Sequence, residues 1–236
     1  NWTGNIIPGG GENIEFATTA NNGGANGNGA GAAVNDLYLD QDRVIGYLIN
    51  ASDKNLVVTA GKQLTINGVV QDGNSSAGTI IVKSDPSNPT GTLLFANPGN
   101  NPNVGATVEF YNKGYQCQTC GYYKQQWQYF GIPVSSAAFP TTGAETVNQY
   151  VEPWNGNKWR PAPYTPDAQL KAFKGYEITN SGTSVPTNKY NFAGTLNTSD
   201  ATLTLTKTNG VNYSGMNLFS NSYTGALPIS SSAITG

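Results

Sequence analysis

The stretch Asn55-Leu56-Val57-Val58-Thr59-Ala60-Gly61-Lys62-Gln63-Leu64-Thr65-Ile66-Asn67-Gly68 decides how this chain is read. Two short apolar runs, Leu56-Val57-Val58 and Leu64-Thr65-Ile66, are separated by Ala60-Gly61 and closed by Asn67-Gly68. Runs this short, rich in β-branched residues and bounded by turn formers, read as strands rather than helices. The same texture extends to both sides. Further runs are Leu37-Tyr38-Leu39, Val44 to Ile49, Val69-Val70, Thr79 to Val82, Thr92 to Phe95 and Thr107 to Tyr111. Breakers such as Asp72-Gly73-Asn74, Pro86 to Pro89 and Pro98 to Pro102 stand between them.

Hairpins would leave longer, cleanly alternating strands. Very short strands at every turn of chain fit stacked coils, three strands to a coil. Val57 to Ile81 is 24 residues and Ile66 to Leu94 is 28, both workable coil lengths. Residues 1–112 are therefore expected to form a right-handed parallel β-helix-like domain, with a β-sandwich as the alternative. Residues 20–33, all Gly, Ala or Asn, read as an irregular loop. No strand-loop-helix pattern or following Lys supports a phosphate cradle there.

From about residue 113 aromatics and prolines become dense. Leu203-Thr204-Leu205-Thr206 alternates as a half-exposed antiparallel strand does. Residues 113–236 are expected to form a second all-β domain, a jelly-roll-like sandwich, with one helical turn at most, near Pro166 to Ala172. The fold class is thus all-β.

Composition removes several functions. The 236 residues include no histidine, which excludes Ser-His-Asp and Cys-His catalysis and histidine-ligated metals. Net charge is −2, and Arg43 and Arg160 are the only arginines, so the basic footprint of a nucleic-acid binder is missing. Apolar runs fall far short of the roughly 20 residues of a membrane span. Gly, Asn, Thr and Ser make up 42% of the chain, a composition suited to turns and exposed strand faces of extracellular β proteins.

Cys117 and Cys120, the only cysteines, stand as Cys-Gln-Thr-Cys with no helical pattern nearby. A small disulfide closing a turn is the leading reading; free thiols and redox or metal chemistry are the alternatives. Asp36, Asp40 and Asp42 form the densest acidic group, beside Arg43. With Tyr38 they alternate with Leu37 and Leu39, so on one strand they would share a face. That face is read as solvated and charged against edge pairing. Calcium binding is the alternative cofactor reading, and a catalytic carboxylate the remotest. Glu109, Glu145, Glu152, Asp167 and Glu177 stand singly and are expected at the surface.

The aromatic-rich stretch raises carbohydrate binding. Trp154, Asn155, Asn157 and Trp159 would suit a stacking platform with amide donors, as would Tyr122, Tyr123 and Trp127 with Gln125 and Gln126. Core or turn packing is the competing reading for the same rings.

The quoted stretch also resembles a phrase repeated in β-helical segments of large Bacteroidetes-type secreted and cell-surface proteins, N-L-x-(V/I)-x-x-G-x-x-L-T-(I/V)-N-G. The second half resembles the domain that often follows. Its cues are Trp127 to Val134, Trp154 to Trp159, Phe173 to Ile178, Phe192 to Thr198 and Gly215 to Tyr223, in that order. The last phrase departs from the usual G-x-N-L-x-G-N-P-Y-P: Ser220 replaces glycine and Ser222 replaces proline. The Cys-x-x-Cys insertion is foreign to the pattern, and the family's C-terminal sorting segment is missing, so a fragment of a longer chain with further domains is expected. The resemblance implies an extracellular or outer-membrane-associated surface location and an adhesion or scaffold role, with a glycan or another surface protein as partner. It implies no catalytic residues. A carbohydrate-binding module and, further off, a glycan-active β-helix enzyme are the alternatives.

Overall fold

A computed structural model describes residues 12–16, 36–50, 53–72, 79–117, 125–139, 145–150, 159–161, 169–180, 189–207, 209, 215 and 217–227. The chain divides into two compact units, Asn1–Glu109 and Phe110–Gly236. The sequence places this boundary three residues later. Among the described residues the ordered structure is strand, apart from one turn of 3-10 helix at Pro98–Asn100.

The first unit holds β1 (Ile14–Phe16), β2 (Leu37–Leu39), β3 (Arg43–Ile45), β4 (Leu48–Asn50), β5 (Leu56–Val58), β6 (Gln63–Ile66), β7 (Val70–Asp72), β8 (Ile80–Val82), β9 (Thr92–Phe95) and the start of β10 (Gly105–Tyr111). Their pairings are parallel, and through β9 they join strands three apart in the chain. The sets are β1-β4-β7, β3-β6-β9 and β2-β5-β8-β10. Val57 pairs with Ile81, the interval read from the sequence. Ile66 pairs with Phe95 rather than Leu94, so that interval is one residue longer than expected. The run Val44 to Ile49 is two strands, because Gly46 and Tyr47 turn the chain between β3 and β4.

In-register parallel pairing stacks like on like. Leu39, Val58, Val82 and Val108 form one column, and Leu56, Ile80 and Ala106 another, all buried. Ile45 and Ile66 stack in the β3-β6 pair, as do Leu64 and Leu93 in the β6-β9 pair. Alternate residues of β6 and β8 are buried, and all three of β5 are, each buried aliphatic contributing about 1.5–3 kcal/mol.

Side chains with amide or carboxylate oxygens bind the corners. Asp36 Oδ1 accepts the Asn55 backbone N–H at 2.9 Å, and Asn55 Oδ1 accepts the Thr79 N–H at 2.9 Å. Asp42 Oδ1 accepts the Gln63 N–H at 2.8 Å. Asn101, 2% exposed, accepts the Val70 N–H at 2.8 Å and donates to the Gly68 carbonyl at 2.9 Å, satisfying the backbone at the start of β7. Glu109 is not at the surface as expected but 4% exposed. It is held by Lys83 Nζ at 2.7 Å and the Ser84 N–H at 3.2 Å, partners that offset the cost of burying a carboxylate.

The second unit holds β11 (Tyr115–Gln116), β12 (Gln125–Gln126), β13 (Gln128–Phe130), β14 (Ser136–Ala137), β15 (Glu145–Tyr150), β16 (Trp159–Pro161), β17 (Leu170–Lys171), β18 (Tyr176–Asn180) and β19 (Lys189–Thr195). An antiparallel sheet runs β13-β18-β15-β16, flanked by the ribbons β11-β12 and β14-β17. Antiparallel pairing is as expected. An aromatic cluster of Phe110, Phe130, Tyr176, Tyr190 and Phe192 fills the core, with Phe110 and Phe130 stacked at 5.1 Å between ring centroids.

Two local expectations fail here. Residues 201–207 form no strand, and every one of them is exposed, Leu205 by 65%. Alternation is a local signal, but a strand needs a neighbour for its backbone. The described end of the proposed helical turn, Leu170–Lys171, is the strand β17, paired with Ser136 and Ala137.

Candidate functional site

The strand β13 presents two different faces. Phe130, 7% exposed, points into the aromatic cluster. Trp127 and Tyr129, of opposite parity, are 37% and 68% exposed. Strand alternation accounts for Tyr129: anchoring Phe130 in the core turns its strand neighbour outward, and Trp127 stands just before the strand. Tyr129 lies in register with Glu177 of β18, and directly opposed residues share a face of an antiparallel pair. Glu177 is another single carboxylate expected at the surface, and it is 8% exposed. At the upstream end Thr179 Oγ1 donates to the Gln126 carbonyl at 2.9 Å, fixing the chain just before Trp127. The result is a phenol on β13 and an indole at the residue just before it, with a carboxylate on the adjoining strand. Such rings can stack on the flat face of a sugar or on another apolar surface.

The remaining platform residues are not gathered around this pair. Tyr122, Tyr123, Trp154, Asn155 and Asn157 lie outside the described residues. The backbone of Trp159 belongs to β16, opposite Tyr150. The sheet order sets β16 three strands from β13, about 14 Å at ~4.8 Å per strand, so Trp127 and Trp159 are not strand neighbours.

Nor does the acidic group share one strand face. β2 ends at Leu39, the chain bends at Gln41, and β3 starts at Arg43, which separates Asp42 from Asp36. Asp36 is committed to Asn55 and Asp42 to Gln63. The Asn55 backbone N–H and then its side-chain amide hold the Asp36 carboxyl below the usual carboxylate range, with Lys54 adding to the effect. Among the described residues no three His, Cys, Asp or Glu side chains are placed to hold a metal ion together.

Cys117 is disulfide-bonded and 6% exposed. Cys120, the other cysteine of the sequence, lies outside the described residues. Among the described residues no helix is long and apolar enough to cross a membrane.

Two features escape the sequence reading. Tyr129 is the more exposed of the two rings, and its parity with Trp127 in Trp-Gln-Tyr-Phe was the available signal. The second is the bracing around Ser222. This fully buried residue accepts the Phe173 N–H at 2.7 Å, while its hydroxyl lies 3.1 Å from that of Ser220. Ser220 in turn donates to the Lys174 carbonyl at 2.9 Å. The two serines that depart from the family phrase thus make the contacts of that turn.

No known protein-family profile matches the chain, and no solved structure matches it. Among curated proteins, the minor fimbrium subunit Mfa5 of Porphyromonas gingivalis is 60% identical over 234 residues, which is 97% of this chain. The chain spans 18% of the length of that relative, to one segment of which it is therefore similar along nearly its whole extent.

Proposed function

We propose that this chain is a non-catalytic segment of a larger surface-displayed fimbrial protein, extracellular and associated with the outer membrane, acting in adhesion and as a scaffold. The similarity to a fimbrium subunit along 97% of the chain carries this reading. The first unit is read as a parallel β-helical stalk, a geometry in which each circuit rests on the last and stiffness grows with their number. The second unit is read as a sandwich-like domain presenting contact surface. Its partners are other fimbrial or surface proteins, joined through further domains of the parent chain. The acidic group is assigned to hydrogen bonding between circuits rather than to calcium, and the fold to independence from any cofactor. Cys117 and Cys120 are assigned to one disulfide.

The direct test is labelling of intact cells with antibody raised against this segment, beside a strain lacking the gene. Surface labelling lost with the gene supports the reading; antigen reachable only after lysis overturns it. An unchanged melting temperature after chelation is the expected result for the cofactor assignment.

The exposure of Trp127 and Tyr129 favours one second reading, a carbohydrate-binding surface on β13. A glycan array probed with the chain and with Tyr129→Ala decides it. Binding lost in the variant at an unchanged melting temperature supports the site, and equal binding by both removes it.

A further inference from the structure

Residues Ala201–Lys207 are the most exposed β-prone stretch of the described chain. They contain no glycine or proline, and none of them lies in a turn, bend or ladder. Both ends are pinned. Tyr223 Oη donates to the Ser199 carbonyl at 3.0 Å and hydrogen-bonds the Ala201 backbone. The Asn217 amide brackets Thr206, accepting its N–H at 3.0 Å and donating to its carbonyl at 2.9 Å. Between the pins, Leu203 and Leu205 stand 39% and 65% exposed. With Thr206 already bonded to Asn217, the alternating β-branched and apolar residues Thr202–Leu205 have the character of an exposed strand edge.

Its sequence names a partner. Thr202-Leu203-Thr204-Leu205-Thr206 reads the same in both directions about Thr204. In an antiparallel pair of two copies centred on Thr204, Leu203 of each lies opposite Leu205 of the other. The four leucines share one face, and the threonines pair on the other. Asp200 and Lys207 flank the palindrome, both exposed. Antiparallel pairing brings the Asp200 end of one copy to the Lys207 end of the other. Parallel in-register pairing would set Asp200 against Asp200 and Lys207 against Lys207, which is unfavourable.

We propose that Ala201–Lys207 is a self-association strand, through which two copies of this chain join by an antiparallel two-fold pairing centred on Thr204. A two-stranded contact is marginal by itself. The pairing gains strength where copies are held close together, as tethering supplies effective concentrations in the millimolar range. It is isologous and closes at two copies, so it gives a dimer and not a filament.

The test uses the whole chain carrying single cysteines. Asn217 occupies the edge of Thr204 and Thr206, so Leu203 and Leu205 carry the ladder and the two Thr204 residues form a non-hydrogen-bonded pair with Cα atoms about 4.5 Å apart, within disulfide reach. Two residues from the centre, the same position in the two copies is separated by about 13 Å. Thr204→Cys is therefore expected to form an intermolecular disulfide under mild oxidation near about 1 mM chain, and Thr202→Cys is not. Adding Leu205→Lys to Thr204→Cys is expected to abolish the crosslink at an unchanged melting temperature, since Leu205 is exposed. Failure of Thr204→Cys to crosslink overturns the proposal. So does equal crosslinking of Thr202→Cys, which marks parallel stacking or random encounter. Crosslinking that survives Leu205→Lys overturns it as well, because the leucine face then plays no part.

Discussion

The Asp36 carboxylate accepts the backbone N–H of Asn55 at 2.9 Å, and Asn55 in turn accepts that of Thr79 at 2.9 Å, so the start of each strand in β2-β5-β8 is tied to the next by a side-chain oxygen. Asn55 is the middle rung and serves both neighbours, since its amide also donates to Asp36. Asn55→Ala removes the acceptor of the Thr79 N–H and a donor to Asp36 together. The expected loss is about 1–3 kcal/mol, the range for leaving a sheltered polar group without its partner. A lowered denaturant midpoint at constant slope checks it.

The same contact makes stability depend on acid. Asn55 holds the folded-state pKa of Asp36 below its ordinary value. A depressed carboxyl pKa contributes stability that is fully present above the unfolded value, about 3.9, and is lost as pH falls through the folded one. Stability is thus expected to decline from about pH 5 downward, and Asp36→Asn to flatten that part of the curve. Urea midpoints of both proteins from pH 6 to pH 2.5 check this. Parallel declines in the two would assign the acid sensitivity to other carboxylates.

The corner preceding β9 leaves no room for a side chain at Gly91. A Cβ there would stand 2.9 Å from the carbonyl oxygens of Val58 and Thr59, backbone atoms that cannot swing aside. Gly91→Ala is expected to cost about 1–3 kcal/mol through overpacking. Gly99, with open space around it, is the matched control. Gly99→Ala is expected to change stability by less than about 0.5 kcal/mol. Thermal melts of the two variants side by side make the comparison.

These contacts show which parts of the molecule were legible. Strands β2, β5 and β9 could be read residue for residue, because short apolar runs and their Gly, Asn and Pro breakers are local signals. The 24-residue interval from Val57 to Ile81 could be read because in-register pairing sets one short apolar run on the next. The run Val44 to Ile49 could not be divided, since Gly46-Tyr47 differs little from strand until its N–H groups are seen bonding to Glu12 and Asn13. Burial of Glu109 was equally hidden. A lone glutamate reads as surface, and only folding brings Lys83 and Ser84 to it. Residues 201–207 misled for the reverse reason: the alternation is real, but among the described residues no strand pairs with it. In the candidate site, the parity of Trp127 and Tyr129 was in the sequence, but their outward orientation depends on Phe130 being claimed by Phe110, Tyr176 and Phe192.

Ser222 gives the sharpest test of the second unit. It is fully buried, and its hydroxyl accepts the N–H of Phe173, a residue held at φ 62°. Positive φ is disfavoured for a side chain of this size, so the surroundings must over-determine it. The Ser222 acceptor is one such constraint, and the edge-on contact of Phe173 with Tyr223, 5.3 Å between ring centroids, is another. Ser222→Ala leaves the Phe173 N–H without its acceptor and is expected to cost about 1–3 kcal/mol. Ser222→Pro restores the residue usual in the resembling surface proteins, yet it removes the same hydroxyl and is expected to cost at least as much. Amide hydrogen exchange locates the effect: the Phe173 amide loses protection in both variants, while Val58 and Val82 in the other unit keep theirs. If Ser222→Pro matched the parent protein in stability and in Phe173 protection, the serine bracing would be incidental and the turn would be set by its backbone alone.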